Sequence, residues 1–177
     1  MLKDWFDVVD RSIQEEGGYV NDPKDPGGET QWGISKRAFP DEDIKNMTRA
    51  EAIRLYYNYY WQAPGFASLP IELGFQLFDA GINIGTGEAV KMLQTVVGMT
   101  PDGQMGPQTR AAVASMPLAA VIAGFLAARG HFYIASHDWN SFGKGWCSRT
   151  FQCLQWASED LKALKAPLQA GGPQSGP

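Results

Sequence analysis

Apolar positions along this chain fall into blocks separated by turn-forming residues, and the spacing within each block predicts its element. Over residues 3–16, Trp5, Val8, Val9, Ser12 and Ile13 recur near helical spacing, and Gly17-Gly18 ends the pattern. Residues 19–34 hold two prolines and three glycines among short polar residues, a composition for turns and at most a short hairpin. Thr48-Arg49-Ala50-Glu51 forms a capping box ahead of AIRLYYNYYW, which predicts a helix to about Trp61. From Pro70 to Ile84 the chain is almost continuously apolar, so the helix predicted there is a buried one. Further helices are expected over 88–97, over 107–115 behind a turn at Pro101-Asp102-Gly103, over 117–136 and over 150–164. The Pro- and Gly-rich stretch 166–177 is expected to be a disordered tail. No alternating strands occur beyond the early hairpin. The fold class is therefore mainly α, with helices around the buried 70–84 helix and a small β-hairpin after the first helix.

Composition changes this picture little, but it excludes several functions. A length of 177 residues suits one compact domain or one with a small appended lobe. The net charge is −4 and no Lys/Arg run stands out, so no nucleic-acid partner is expected. Two cysteines, Cys147 and Cys153, without a CxxC or Cys/His cluster, predict free thiols and no metal site. The Asp102-Gly103 turn lacks the regular acidic positions of a calcium loop, and His131 and His137 read as ordinary polar residues. No cofactor is expected. The N-terminal stretch lacks an apolar signal core, and no apolar run is long enough to span a bilayer.

The candidate chemistry sits in one string, EGGYVNDPKDPGGETQWGI over residues 16–34. With the first helix running to residue 16, Glu16 faces the negative end of the helix dipole, which disfavours its charged form and suits a general acid. The following turns are able to bring Asp25 and Thr30 back toward it: Asp25 as a hydrated second carboxylate, Thr30 as a hydroxyl holding water. Asp79 and Asn83, four apart, share one face of the buried helix and either brace the hairpin or reach substrate. Tyr19, Trp32, Tyr60 and Trp61 offer rings for stacking on sugars, with core packing as the alternative use. Arg149 is expected in a structural ion pair.

Residues 15–34 resemble the glycoside hydrolase family 108 signature, matching every specified position of E-G-G-Y-x-N-D-P-x-D-P-G-G-x-T-x-x-G-I. The resemblance continues through Tyr59-Tyr60-Trp61 and through Asp79 to Gly85, similar to that family's D-x-x-x-N-x-G helix. Leu93 to Gly98 and Asp102 to Thr109 resemble the peptidoglycan-binding region found with it, and Arg129, Tyr133 and Gly143 to Arg149 resemble its closing segment. The resemblance implies a lysozyme-like fold with a catalytic muramidase region over 1–85 and a peptidoglycan-binding-like helical region over 86–156 packed on it. It further implies a monomeric endolysin-type N-acetylmuramidase that cuts the β-1,4 bond between N-acetylmuramic acid and N-acetylglucosamine. In that reading Glu16 is the acid, Asp25 and Thr30 assist, and Tyr19, Trp32, Asp79 and Asn83 bind substrate. Two alternatives stay open: a lytic transglycosylase, and a non-catalytic peptidoglycan-binding protein. By the same resemblance, the protein is expected to be made in a bacterial host cytoplasm and to act on the wall in the periplasm after holin-like release.

Overall fold

A computed structural model of the chain describes residues 2–13, 18–21 and 28–165. The stretch expected to be a disordered tail, 166–177, lies outside the described residues. Among them the chain forms seven α-helices and a single two-stranded hairpin, so the fold is mainly α.

Helix α1, Trp5–Ser12, starts where the Asp4 carboxylate accepts from the Phe6 and Asp7 amides. It ends earlier than the sequence pattern indicates. Ile13 turns extended (φ −91, ψ 100) and buries its side chain, and the Arg149 guanidinium donates to the Arg11 carbonyl at 3.3 Å. A carbonyl of the last turn thus finds its partner in another helix.

The hairpin pairs β1, Thr30–Gln31, with β2, Ile34–Ser35, in the register Thr30↔Ser35 and Gln31↔Ile34. Val20 bridges Thr30 on its other side. Trp32 and Gly33 form the two-residue turn, both at positive φ (52 and 77), the type I′ pattern. Gly33 is needed twice over, because a Cβ there would lie 2.5 Å from Tyr56 Oη.

Helix α2, Arg49–Leu55, carries the expected capping box, with Thr48 and Glu51 each bonding the other's backbone. The predicted α-helix does not continue to Trp61; residues Tyr56–Gln62 form a π-helix. The aromatic run accounts for it. Tyr56 and Trp61, five apart, are both buried, and Trp61 packs edge-on to Phe78 of the core. A 3.6-residue turn would point them well apart, whereas i→i+5 bonding brings them to one face. A 3-10 turn, Phe66–Ser68, then leads to α3, Ile71–Ile84.

Every residue of α3 from Glu72 to Gly81 is buried, as its apolar run requires. The π-helix, α4 (Thr86–Val96), α6 (Leu118–Ile134) and α7 (Trp139–Lys165) pack around it, and α5 (Pro107–Ala114) lies against α6. Gly74 sits where a Cβ would come within 2.7 Å of the Trp61 ring, which sets how closely α3 approaches the π-helix. Gly85, at φ 89 and ψ 142, adopts a backbone that side chains rarely reach and turns α3 directly into α4. Helix α7 begins eleven residues before the expected start at 150. Gly143 is a packing site inside the helix, since a Cβ there would meet the Trp139 ring at 2.7 Å.

Two polar clusters fasten these helices. Asp79 on α3 accepts from Arg129 Nη1 of α6 at 2.7 Å and from Arg149 Nε of α7 at 2.7 Å, with Arg149 Nη2 on the same oxygen as Nε. The Cys153 thiol adds a fourth donor at 3.3 Å. On the second half, the Gln94 amide nitrogen donates to Asp102 (2.6 Å), the Gln104 carbonyl (3.0 Å) and the Thr109 hydroxyl (3.2 Å). Its oxygen accepts from the Gly103 amide. Cys147 and Cys153 are both free. Among the described residues no single helix is long and apolar enough to cross a membrane.

Candidate active site

The end of α1, the last turn of α3 and the middle of α7 enclose a hollow of about 330 Å³, lined by Ser12, Asp79, Ile82, Asn83, Gly145, Trp146 and Arg149. Its side toward α7 is rigid. Trp146 stacks on Tyr133 with centroids 4.8 Å apart and planes 15° from parallel. Arg149 is held by Asp79 and itself holds the Arg11 carbonyl, so one guanidinium ties α7, α3 and the end of α1 together.

Burial works to raise the Asp79 pKa, but the charges of Arg129 and Arg149 outweigh it and hold the carboxyl below the usual aspartate range. Asp79 is therefore ionised and paired, a brace and not a proton donor. Burial, aided by the Asp79 charge, pushes the Cys153 thiol up to about 12, so the sulfur stays protonated and non-nucleophilic. Ser12 Oγ is buried on this hollow and has no hydrogen-bond partner among the described residues. Asn83 is exposed and, like Ser12, offers a polar group to whatever enters.

Across the hairpin, Trp32 is a non-glycine residue in the left-handed region, a strain of order 1–3 kcal/mol. Two bonds maintain it: its indole N–H donates to the Met47 carbonyl at 3.1 Å, and its own carbonyl accepts from Tyr56 Oη at 3.2 Å. Thr30 gives its backbone N–H and C=O to Val20 and keeps a half-buried side chain. The Tyr19 hydroxyl donates to Glu29 at 2.9 Å, and that bond to a carboxylate raises its pKa.

The expected site residues thus divide. Asp79 and Asn83 share the hollow, whereas Thr30 and Trp32 belong to the hairpin, Tyr19 precedes the Val20 that bridges Thr30, and none of the three lines it. Glu16 and Asp25 lie outside the described residues. Helix α1 ends at Ser12, four residues short of the helix to residue 16 that the sequence pattern predicts. Trp61, a stacking candidate, is core, while Tyr60 is half-buried at the edge of another depression. Ser12 and Trp146 are contributors that local spacing did not single out, because α7 meets α1 and α3 only through tertiary packing.

Helices around a buried central helix, a short hairpin after the first helix and a polar hollow at that helix's end make up a mainly α fold with a candidate site beside its central helix. The family model described as Glycosyl hydrolase 108 matches residues 9–85, and the one described as Predicted Peptidoglycan domain matches residues 88–151. The solved structure titled "Structure of Brucella abortus SagA" is similar at 33% identity, covering 88% of this chain and 94% of that one with a TM-score of 0.79. A comparison with curated proteins gives no match. The chain belongs to the glycosyl hydrolase 108 family: it is a glycoside hydrolase with a peptidoglycan region, and peptidoglycan is its partner.

Proposed function

We propose that this glycoside hydrolase is an N-acetylmuramidase, hydrolysing the β-1,4 bond between N-acetylmuramic acid and N-acetylglucosamine with Glu16 as general acid. The observation that carries the reading is the hollow at the end of α1. Ser12 lines it, and Glu16 follows four residues later in the EGGY string of the matched family segment. Four residues of chain span at most about 14 Å, a length that allows the acid to reach a sugar seated there.

In this mechanism Glu16 gives its proton to the glycosidic oxygen as the bond to the anomeric carbon breaks, and the leaving sugar departs as an alcohol. A water molecule oriented by Asp25 or Thr30 then adds to the anomeric carbon and loses its proton, yielding a reducing end. Tyr19 and Trp32 contact the sugars from the hairpin, and Asn83 contacts them from α3. Asp79 serves this site through Arg149, by fixing the α7 side of the hollow. We further propose that the enzyme acts on the wall in the periplasm after holin-like release, in the manner of a phage endolysin.

Mass spectrometry of fragments released from purified peptidoglycan by the wild type and by Glu16→Gln tests the reading. Reducing N-acetylmuramic acid ends from the wild type alone are expected. Anhydro ends would instead mean that the substrate's own 6-hydroxyl attacks, which is transglycosylase chemistry. Equal release by both proteins would remove Glu16 from the mechanism.

A further inference from the structure

The junction of α3 and α4 serves more than one depression. Gly85 and Thr86 line a hollow of about 520 Å³ whose walls are the 38–42 loop and the π-helix. On its far side Thr86, with Gly87, lines another of about 370 Å³ that runs to the Gly103–Gly106 loop of the second half. Ile82 and Asn83, one turn earlier, belong to the hollow at the end of α1. Residues 82–87 therefore connect the candidate active site with two hollows beyond it.

Their walls have a definite chemistry. Phe39 and Tyr59 meet edge to face at 5.2 Å, and Tyr59 keeps 57% of its surface exposed. The π-helix turns Tyr59 outward while Tyr56 and Trp61 go inward, so the irregular element has a visible result at this surface. Asp41 and Glu42 stand in the same wall, and neither hollow is lined by Lys or Arg. Four glycines, Gly65, Gly87, Gly103 and Gly106, line the second hollow together with Gln104 and Met105. An exposed ring, acidic neighbours and glycine backbone repel a phosphate chain and suit a sugar polymer whose lactyl carboxyls are capped as amides, which offers apolar ring faces and hydroxyls.

We propose that these hollows form one groove that carries the glycan strand away from the cleaved bond and onto the second half of the protein. Tyr59 stacks on one sugar, and the Gly87–Gln104 floor receives sugars further along. The inference rests on the reading that the enzyme works on glycan strands, and it names where the strand runs beyond the bond that is cut.

The test uses the full chain carrying Glu16→Gln, with glycan strands whose lactyl carboxyls are amide-capped, and a tetrasaccharide from them, as titrants in calorimetry. Tyr59→Ala removes the ring. Gly87→Trp places a ring at the second hollow from a position where a Cβ meets nothing within 4 Å. Each variant is expected to weaken binding of long strands about tenfold, and Gly87→Trp to leave the tetrasaccharide unaffected. Unchanged affinity for long strands in both variants would overturn the groove. Equal loss for short and long ligands in Gly87→Trp would overturn it too, since that is damage to the fold and not a lost extension. The two readings fail separately. Strand binding that depends on Tyr59 and Gly87, in a wild type that releases no fragments, would sink the hydrolysis and keep the groove. Normal cleavage by the wild type, with undiminished strand binding in both variants, would do the reverse.

Discussion

The cluster around Asp79 joins residues 50, 70 and 74 positions apart, whereas the cluster around Gln94 closes within 15 positions of itself. The first is built of full charges with little water: Arg129 has no exposed surface, and Asp79 has 3%. The second is built on a neutral amide, and its one carboxylate, Asp102, faces solvent. A local neutral cluster can be lost and partly replaced by water. A buried ionic one cannot, because removing either sign strands the other in a low dielectric. Their difference separates what holds the halves together from what shapes one loop.

The sharpest way to break this contrast is Asp79→Ala, which leaves two guanidinium groups without their anion. A loss of about 3–5 kcal/mol in denaturant unfolding is expected, and a loss below about 1 kcal/mol would refute the account of the buried knot. Acid should reveal the same group without mutation. The folded pKa of Asp79 lies below its unfolded value of about 3.9, so its stabilisation is complete above that value and disappears as pH falls through the folded one. Wild-type stability should drop steeply below about pH 4, and Asp79→Asn should flatten that slope while lowering stability at neutral pH.

Gln94→Ala comes next, at about 1–2 kcal/mol, because the Gly103 amide and the Thr109 hydroxyl lose a buried partner. Asp102→Asn should have the smallest effect, a barely displaced melting curve, since water already reaches that carboxylate. If it proved as damaging as Asp79→Ala, the distinction between the clusters would collapse.

The same difference explains what the sequence allowed one to read. The Thr48 capping box, the buried helix from Pro70, Pro107 opening α5 and the hairpin turn near Gly33 are short-range patterns, and each appears where expected. The misjudged points depended on distant partners. Nothing near Ser12 announces that Arg149 will end α1, and nothing in YYNYYW announces that Phe78 and Trp5 will draw Trp61 inward. Nothing around Gly143 announces that α7 already runs through it, with the Trp139 ring packed against its backbone. At the candidate site, Asp79 and Asn83 were legible from their spacing of four and Arg149 was expected in an ion pair, which it forms, but that its partner is Asp79, shared with Arg129, was not legible, since a helical period carries no information about another helix.

Asp79 belongs to the segment that matches the glycosyl hydrolase, while Arg129 and Arg149 belong to the segment that matches the peptidoglycan domain. Two recognisable modules thus share one neutralised charge. Cut between residues 85 and 88, the first fragment would expose a lone carboxylate on its most apolar helix, and the second would keep two cations with no counterion. Exchanging one module among relatives therefore requires the acid and both arginines to travel as a set. For anyone recombining these enzymes, the indivisible cassette is the whole span from α1 to α7.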